Sequence, residues 1–259
     1  MMKPNGLLLL LYAPLLALCL NDTAFAQTEH AAPHWTYDGR TGPRYWGDLD
    51  HAFEECLAGR SQSPIDISSA TDAALERLDF SYAPTPLNIV NNGHTIQVNY
   101  AQGSYVTIGR KTYDLLQFHF HSPSEHTVDG APYDMVAHLV HSSRDGELAV
   151  VGILMKTGRK STIVGDIWSH MPEKEGAAQS IRGVTIDASD LLPHLSGYYA
   201  YSGSLTTPPC SEGVRWFVML APHSVSSSQV RQFVNIFPRS TRPIQPLNGR
   251  NIRADIYSQ

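Results

Sequence analysis

The sequence predicts a mainly β, α+β protein: a single domain built on a large sheet with small peripheral helices. Three observations point there. Short runs rich in β-branched and aromatic residues recur along the chain, each bounded by turn formers. Helical periodicity is weak and confined to short pieces. No linker, low-complexity tract or internal repeat interrupts residues 27–259, a length that suits one β-rich domain.

The strand signals, in chain order, are LNIV and HTIQVNY on either side of Asn91-Asn92-Gly93, then SYVTIG, LLQFHFH, MVAHLVH, LAVVGILM and VRWFVML. The Asn-Gly step makes the first pair a hairpin, because both residues tolerate the positive φ that a tight turn demands. Helices are expected over Asp48–Leu57, Ile163–Met171 and Ser226–Phe237.

The first residues carry a single Lys3, an apolar run from Leu7 to Leu20 and then Ala24-Phe25-Ala26. Small residues at the first and third positions before a cut suit a signal peptidase, so residues 1–26 are expected to be a signal peptide, with a periplasmic or secreted mature chain from Gln27. Pro14 interrupts the run, which is short for a membrane span of ~20 residues, and no second apolar segment follows; no stable membrane anchor is expected after cleavage. A lipid anchor on Cys19 is opposed by the bulky Leu18 before it. Export leaves only Cys56 and Cys210, and an even pair in an oxidising compartment usually bonds, against the alternative of two buried free thiols. With a formal charge of −5 the chain lacks the cationic surface that nucleic acid or an anionic membrane requires.

In Gln117-Phe118-His119-Phe120-His121, strand alternation sends Gln117, His119 and His121 to one face and both phenylalanines to the other. The two histidine Cα atoms are then ~6.6 Å apart, close enough for both rings to reach one metal ion. A third ligand must come from a neighbouring strand. His138 is the best candidate; His141 points to the opposite face, and His126 is a rival that could loop back. Three histidines leave a fourth tetrahedral position open, which is the arrangement of a catalytic rather than a structural zinc site. Alone, His-x-His is a weak signal, since alternating histidines often only line a polar surface.

The surrounding blocks are far more specific. QFHFHSPSEHTVDG followed by AHLVH, HWTYDGRTGPRYW near the mature start, QSPIDI at 62–67, NNGHT at 91–95 and YSGSLTTPPCSEGVRWFV at 201–218 together resemble the α-carbonic anhydrases, in the family's order and over nearly the whole mature chain. The resemblance implies a twisted, predominantly antiparallel central sheet of about ten strands and a zinc enzyme that interconverts carbon dioxide and bicarbonate through zinc-bound hydroxide. His119, His121 and His138 match the zinc ligands. Thr206 matches the residue that accepts a hydrogen bond from that hydroxide and passes one to an acid, here Glu125; Thr207 sits beside it. His94 matches the proton shuttle, with Tyr37, Asn92 and Gln97 at or near the positions that order the water chain. Val140, Val150, Leu205, Val214 and Trp216 match the apolar wall for carbon dioxide, Cys56 and Cys210 match the disulfide of secreted members, and Ser63-Pro64 and Pro208-Pro209 match cis bonds. The partner expected is a small molecule, carbon dioxide or bicarbonate, with no nucleic acid; a homodimer is compatible with the chain.

Two positions depart from the family pattern. A glutamate usually stands two residues before the third ligand and bonds its free ring nitrogen, but this chain has Val136. Ser240 replaces a usual asparagine, at a position expected to support the His126 network. Zinc binding weaker than typical is therefore expected. The competing reading is a catalytically weak or silent relative that keeps the scaffold for recognition, although all three ligands are present. An exported zinc carrier would show a concentrated His-rich tract, and a serine hydrolase a G-x-S-x-G elbow; the chain has neither.

Overall fold

The computed structural model describes residues 33–194 and 197–255; the expected signal peptide lies outside them. Ten strands form the main path of one large sheet. In chain order they are β1 (Thr71–Asp72), β2 (Thr85–Asn91), β3 (Ile96–Asn99), β4 (Lys111–His121), β5 (Met135–Ser143), β6 (Leu148–Thr157), β7 (Gln179–Ile186), β8 (Tyr198–Ser204), β9 (Glu212–Met219) and β10 (Arg253–Asp255). Across the sheet they run β7-β2-β3-β4-β5-β6-β9-β8-β10-β1, with Leu78–Ser81, Tyr105–Ile108 and His223–Val225 pairing off that path. Neighbours are antiparallel except β6 with β9 and with His223–Val225, and β10 with β1. The sheet is therefore mixed, though mostly antiparallel as expected. A separate small sheet joins Asp66–Ile67, Thr127–Val128 and Ala131–Pro132.

Burial follows sequence. The central strand β5 is buried almost throughout, on both faces, whereas β7 at the edge is mostly exposed. On one face Phe118, Phe120, Leu139, Val151, Ile153 and Met155 form the larger core, closed by helices Thr162–Trp168 and Ser227–Ile236. Phe120 meets Trp168 edge-on at 4.8 Å, and Trp168 stacks on Phe233 at 5.7 Å. The other face carries Val136, Val140, Val150, Leu154, Val214, Trp216 and Val218. Because β-strand side chains alternate, His119, His121 and His138 necessarily share this second face.

Local departures from the sequence reading have physical causes. The helix expected over Asp48–Leu57 is three pieces, Trp46–Leu49, a 3-10 turn at His51–Phe53 and Glu55–Ala58, because Asp50 is extended and its carboxylate caps Ala52 N at 2.8 Å. Strands β7 and β8 lacked a clear signal: β7 is exposed and its register with β2 shifts between Ser180 and Thr185, while β8 is Tyr-, Gly- and Ser-rich. Gly203 in β8 must be glycine, since a Cβ there would lie 2.9 Å from Trp216 Cδ1. The Ser63-Pro64 and Pro208-Pro209 bonds are cis, as is Ser122-Pro123. The Cys56–Cys210 disulfide closes a separation of 154 residues, tying the first helices to the loop between β8 and β9.

His141 projects from β5 into the opposite face, fully buried, with Nε2 2.7 Å from Tyr82 Oη and Nδ1 3.2 Å from Ala149 O. Burial pushes its pKa down to about 4. The unfolded chain, at ~6.5, therefore binds a proton that the folded chain refuses, so this residue's contribution to stability is intact above pH 6.5 and is lost as pH falls toward 4. In denaturant titrations between pH 4 and 6.5, His141→Gln is expected to flatten the dependence of unfolding free energy on pH by up to about 1.4 kcal/mol per pH unit; an unchanged slope would contradict the assignment.

Candidate metal centre

His119 on β4 pairs directly across from His138 on β5, and His121 lies two residues further along β4. The ring centroids stand 5.0 Å apart for His119 and His121, 5.4 Å for His119 and His138, and 4.9 Å for His121 and His138. One ring nitrogen from each lies within 4.8 Å of the other two. His119 Nδ1 is 2.9 Å from Gln117 Oε1, and His121 Nδ1 is 2.5 Å from the Ser240 carbonyl. Amide and carbonyl oxygens only accept, so each Nδ1 carries the hydrogen and each Nε2 keeps a lone pair for a metal. His121 Nε2 is buried and makes no hydrogen bond among the described residues, an unusual cost for a group without a ligand. Burial, then the neighbouring imidazoles, hold the pKa of His119 and His138 well below the usual histidine range, so both are neutral and competent to ligate.

The rival His126 is not part of this trio. Its Nε2 is 2.6 Å from Tyr201 Oη, which in turn meets Ser63 Oγ at 2.7 Å. Burial lowers its pKa to about 3. Ser240 corrects a sequence expectation: its carbonyl supports His121 rather than the His126 network, and its hydroxyl accepts from Ser122 N at 3.1 Å. A backbone carbonyl carries no residue signature, so this support was not legible. Gln117 was, since alternation places it on the ligand face.

His138 lacks the equivalent support. Its Nε2 is buried without a partner, and Val136, the residue two before it on the same face, is fully buried and can offer no acceptor.

Glu125 lies beside the trio, against ring nitrogens of His121 and His138. Its Oε1 accepts from Arg242 N at 2.9 Å; its Oε2 has no hydrogen bond and sits 3.6 Å from His121 Nε2 and 3.8 Å from His138 Nδ1. The expected bond from Thr206 to Glu125 is absent among the described hydrogen bonds, although Thr206 is buried. The loop that carries Thr206 and Thr207 is held by Leu205 N to Ser211 O at 3.0 Å, Cys210 N to Thr207 O at 2.8 Å, and the disulfide. Val140, Val150, Val214 and Trp216 form one apolar cluster with Leu205 against it, and Trp216 lies 4.9 Å from His138.

His94 sits in the β2–β3 turn. The hairpin forms where the Asn-Gly step predicts, but through a four-residue loop with positive φ at Gly93 (+86°) and not at Asn92, whose Oδ1 instead accepts from both His94 N and Thr95 N at 3.0 Å. The His94 ring stacks on Trp35 at 3.6 Å with planes 7° apart. Tyr37 lies between, 6.4 Å from His94 and 6.5 Å from His121, with its hydroxyl buried and unpartnered. Gln97 is opposite His119, but its amide is committed to Asn99 at 2.7 Å and to Asn92 at 3.4 Å. Sequence reasoning missed Trp35 as a ring contact of His94. A cavity of about 350 Å³ is lined by His94 together with His34, Trp35, Tyr37 and Arg239.

The donor set fits zinc: neutral imidazoles, two of them fixed by outer acceptors. The unsupported His138 makes a direct expectation. Zinc competition with a chromophoric chelator should give Val136→Glu a dissociation constant about 10–100-fold lower than the natural chain; equal constants would contradict the account of His138.

A family model described as eukaryotic-type carbonic anhydrase matches residues 41–256. A carbonic anhydrase of Nostoc sp. is 44% identical over 237 residues, covering 90% of this chain and 88% of that protein. One from Pectobacterium carotovorum is 40% identical over 239 residues, covering 92% and 97%. The α-carbonic anhydrase of Thermovibrio ammonificans, solved with the inhibitor sulfanilamide, superposes with a TM-score of 0.83 at 43% identity, covering 85% of this chain and 98% of that one. With the three histidines of β4 and β5 facing one point, these likenesses place the chain in the α, or eukaryotic-type, carbonic anhydrase family.

Proposed function

We propose that this enzyme hydrates carbon dioxide reversibly to bicarbonate and a proton, in a periplasmic or secreted setting, with His94 carrying the proton between the site and solvent. The observation that carries the reading is the convergence of three imidazoles on one apolar-walled face. Zinc, when bound by His119, His121 and His138, supplies the Lewis acidity that makes water nucleophilic near neutral pH, an effect for which carbonic anhydrase is itself the reference case.

The remaining work falls to side chains. Glu125 offers a buried carboxylate oxygen that makes no hydrogen bond, the acceptor that the Thr206 hydroxyl would need. A threonine whose proton is committed there presents only lone pairs to the reacting centre and so favours a proton-bearing group on the other side. Thr207 flanks that position. Val140, Val150, Leu205, Val214 and Trp216 offer carbon dioxide a surface without competing hydrogen bonds. An unperturbed imidazole titrates near neutrality, which suits it to take and release a proton; partial burial and the neighbouring His34 lower the pKa of His94 and Glu175 opposes them. The unpartnered Tyr37 hydroxyl, between His94 and His121, supports a hydrogen-bonded water path along that line. Asn92 serves that path by building the turn that carries His94, and Gln97 by fixing Asn92.

Residues 1–26 are read as a cleaved signal peptide, a reading supported by the Cys56–Cys210 bond, which persists in oxidising compartments. Among the described residues no helix is long and apolar enough to cross a membrane.

Stopped-flow hydration of carbon dioxide, with metal content measured on the same samples, tests the reading. His119→Ala should lose both zinc and turnover. His94→Ala should keep zinc, slow by roughly 10-fold or more in weak buffer, and recover when imidazole is added. Zinc-loaded natural protein without hydration activity would exclude the enzymatic reading in favour of a binding role.

A further inference from the structure

The segment 172–176 docks on the His94 turn through two hydrogen bonds: Asn91 Nδ2 donates to Pro172 O at 3.1 Å, and Gly176 N donates to Asn91 O at 3.0 Å. This docking lays the Glu175 carboxylate over Gly93, so closely that a methyl group on Gly93 would lie 2.9 Å from Glu175 Cδ and Oε2. No described ion pair takes Glu175. The Glu175 carboxylate is thus held over Gly93, the residue that precedes His94 in the turn.

The other titratable and charged groups around the ring come from the N-terminal segment and the C-terminal side of the cavity. His34 stacks at 6.2 Å and Tyr37 stands edge-on at 6.4 Å, while Asp38 and Arg239 line the same cavity and pair with each other at 3.7 Å. With Asp38 engaged by Arg239, Glu175 is the carboxylate left to act on His94.

We propose that Glu175 is a positioning residue for proton transfer: its carboxylate, docked over the Gly93 turn, stabilises the charged imidazolium of His94 while a proton is in transit at the cavity mouth. The proposal rests on His94 being the proton carrier. Partial burial and the neighbouring His34 both disfavour a charge on His94, and Glu175 opposes them. The Trp35 face stacked on the ring adds an attraction of its own for the cationic form. Without Glu175 the carrier would accept a proton less readily, and the hydration direction would suffer first.

The test is the titration midpoint of the His94 ring by NMR in the full chain, assigned by its loss in His94→Ala. At low ionic strength the midpoint should fall by roughly 0.2–0.7 in Glu175→Gln and be largely restored in Glu175→Asp, and the midpoints of the natural chain and Glu175→Gln should converge as salt approaches 1 M and screens the pair. An equal midpoint in the natural chain and Glu175→Gln at low salt would overturn the proposal. In weak buffer, Glu175→Gln should also slow hydration up to about 5-fold, the rate ratio that corresponds to that shift, and the loss should vanish in the His94→Ala background. Turnover indifferent to His94→Ala would remove the carrying role itself, and the proposal with it, even where the NMR midpoint moves.

Discussion

Everything in the site depends on three imidazoles aimed inward at one point, with His119 and His138 held neutral. Burial alone makes a charged histidine costly, and each additional ring nearby raises that cost. Neutrality, however, does not fix which nitrogen faces the centre. For His119 and His121 that choice is made by outer acceptors, the Gln117 amide and the Ser240 carbonyl, each of which requires a hydrogen on Nδ1. The sheet supplies the third condition. Adjacent antiparallel strands put His119 and His138 opposite one another, and a two-residue step brings His121 to the same face.

The same sheet separates two kinds of interior. One face is a dry core of aromatic and aliphatic side chains closed by two helices. The other mixes an apolar wall with a buried polar network, in which Arg242 alone reaches Glu125, Gln62, Ser63 and Cys56. That arginine ties the C-terminal segment, the Gln62–Ser63 segment and the start of the disulfide-bonded helix to the carboxylate beside the ligands. Such a network is stabilising only when its members are satisfied. The unpartnered atoms that remain, on Tyr37, His121, Glu125, His126 and His138, lie around the site rather than in the dry core.

Much of this was legible from sequence because period-two alternation is a direct consequence of strand geometry. The ligand face of β4, the contrary direction of His141, the Asn-Gly turn under His94 and the apolar wall all follow from it or from the quoted motifs. What escaped notice depends on contacts between segments distant in the chain. The parallel junction of β6 and β9 and the short parallel pairing of β10 with β1 leave no local mark. Neither does a backbone carbonyl at Ser240, nor the placement of Trp35 over a ring 59 positions away in sequence. Edge strand β7 was obscured by its exposure, since a strand with little to bury has little pattern to display.

The most direct test of the central claim is X-ray absorption at the zinc edge of the metal-loaded protein. Three imidazole nitrogens at ~2.0–2.1 Å are expected, falling to two in His138→Ala. A site with two or fewer imidazoles in the natural chain, or one in which the Glu125 carboxylate is a ligand, would contradict it.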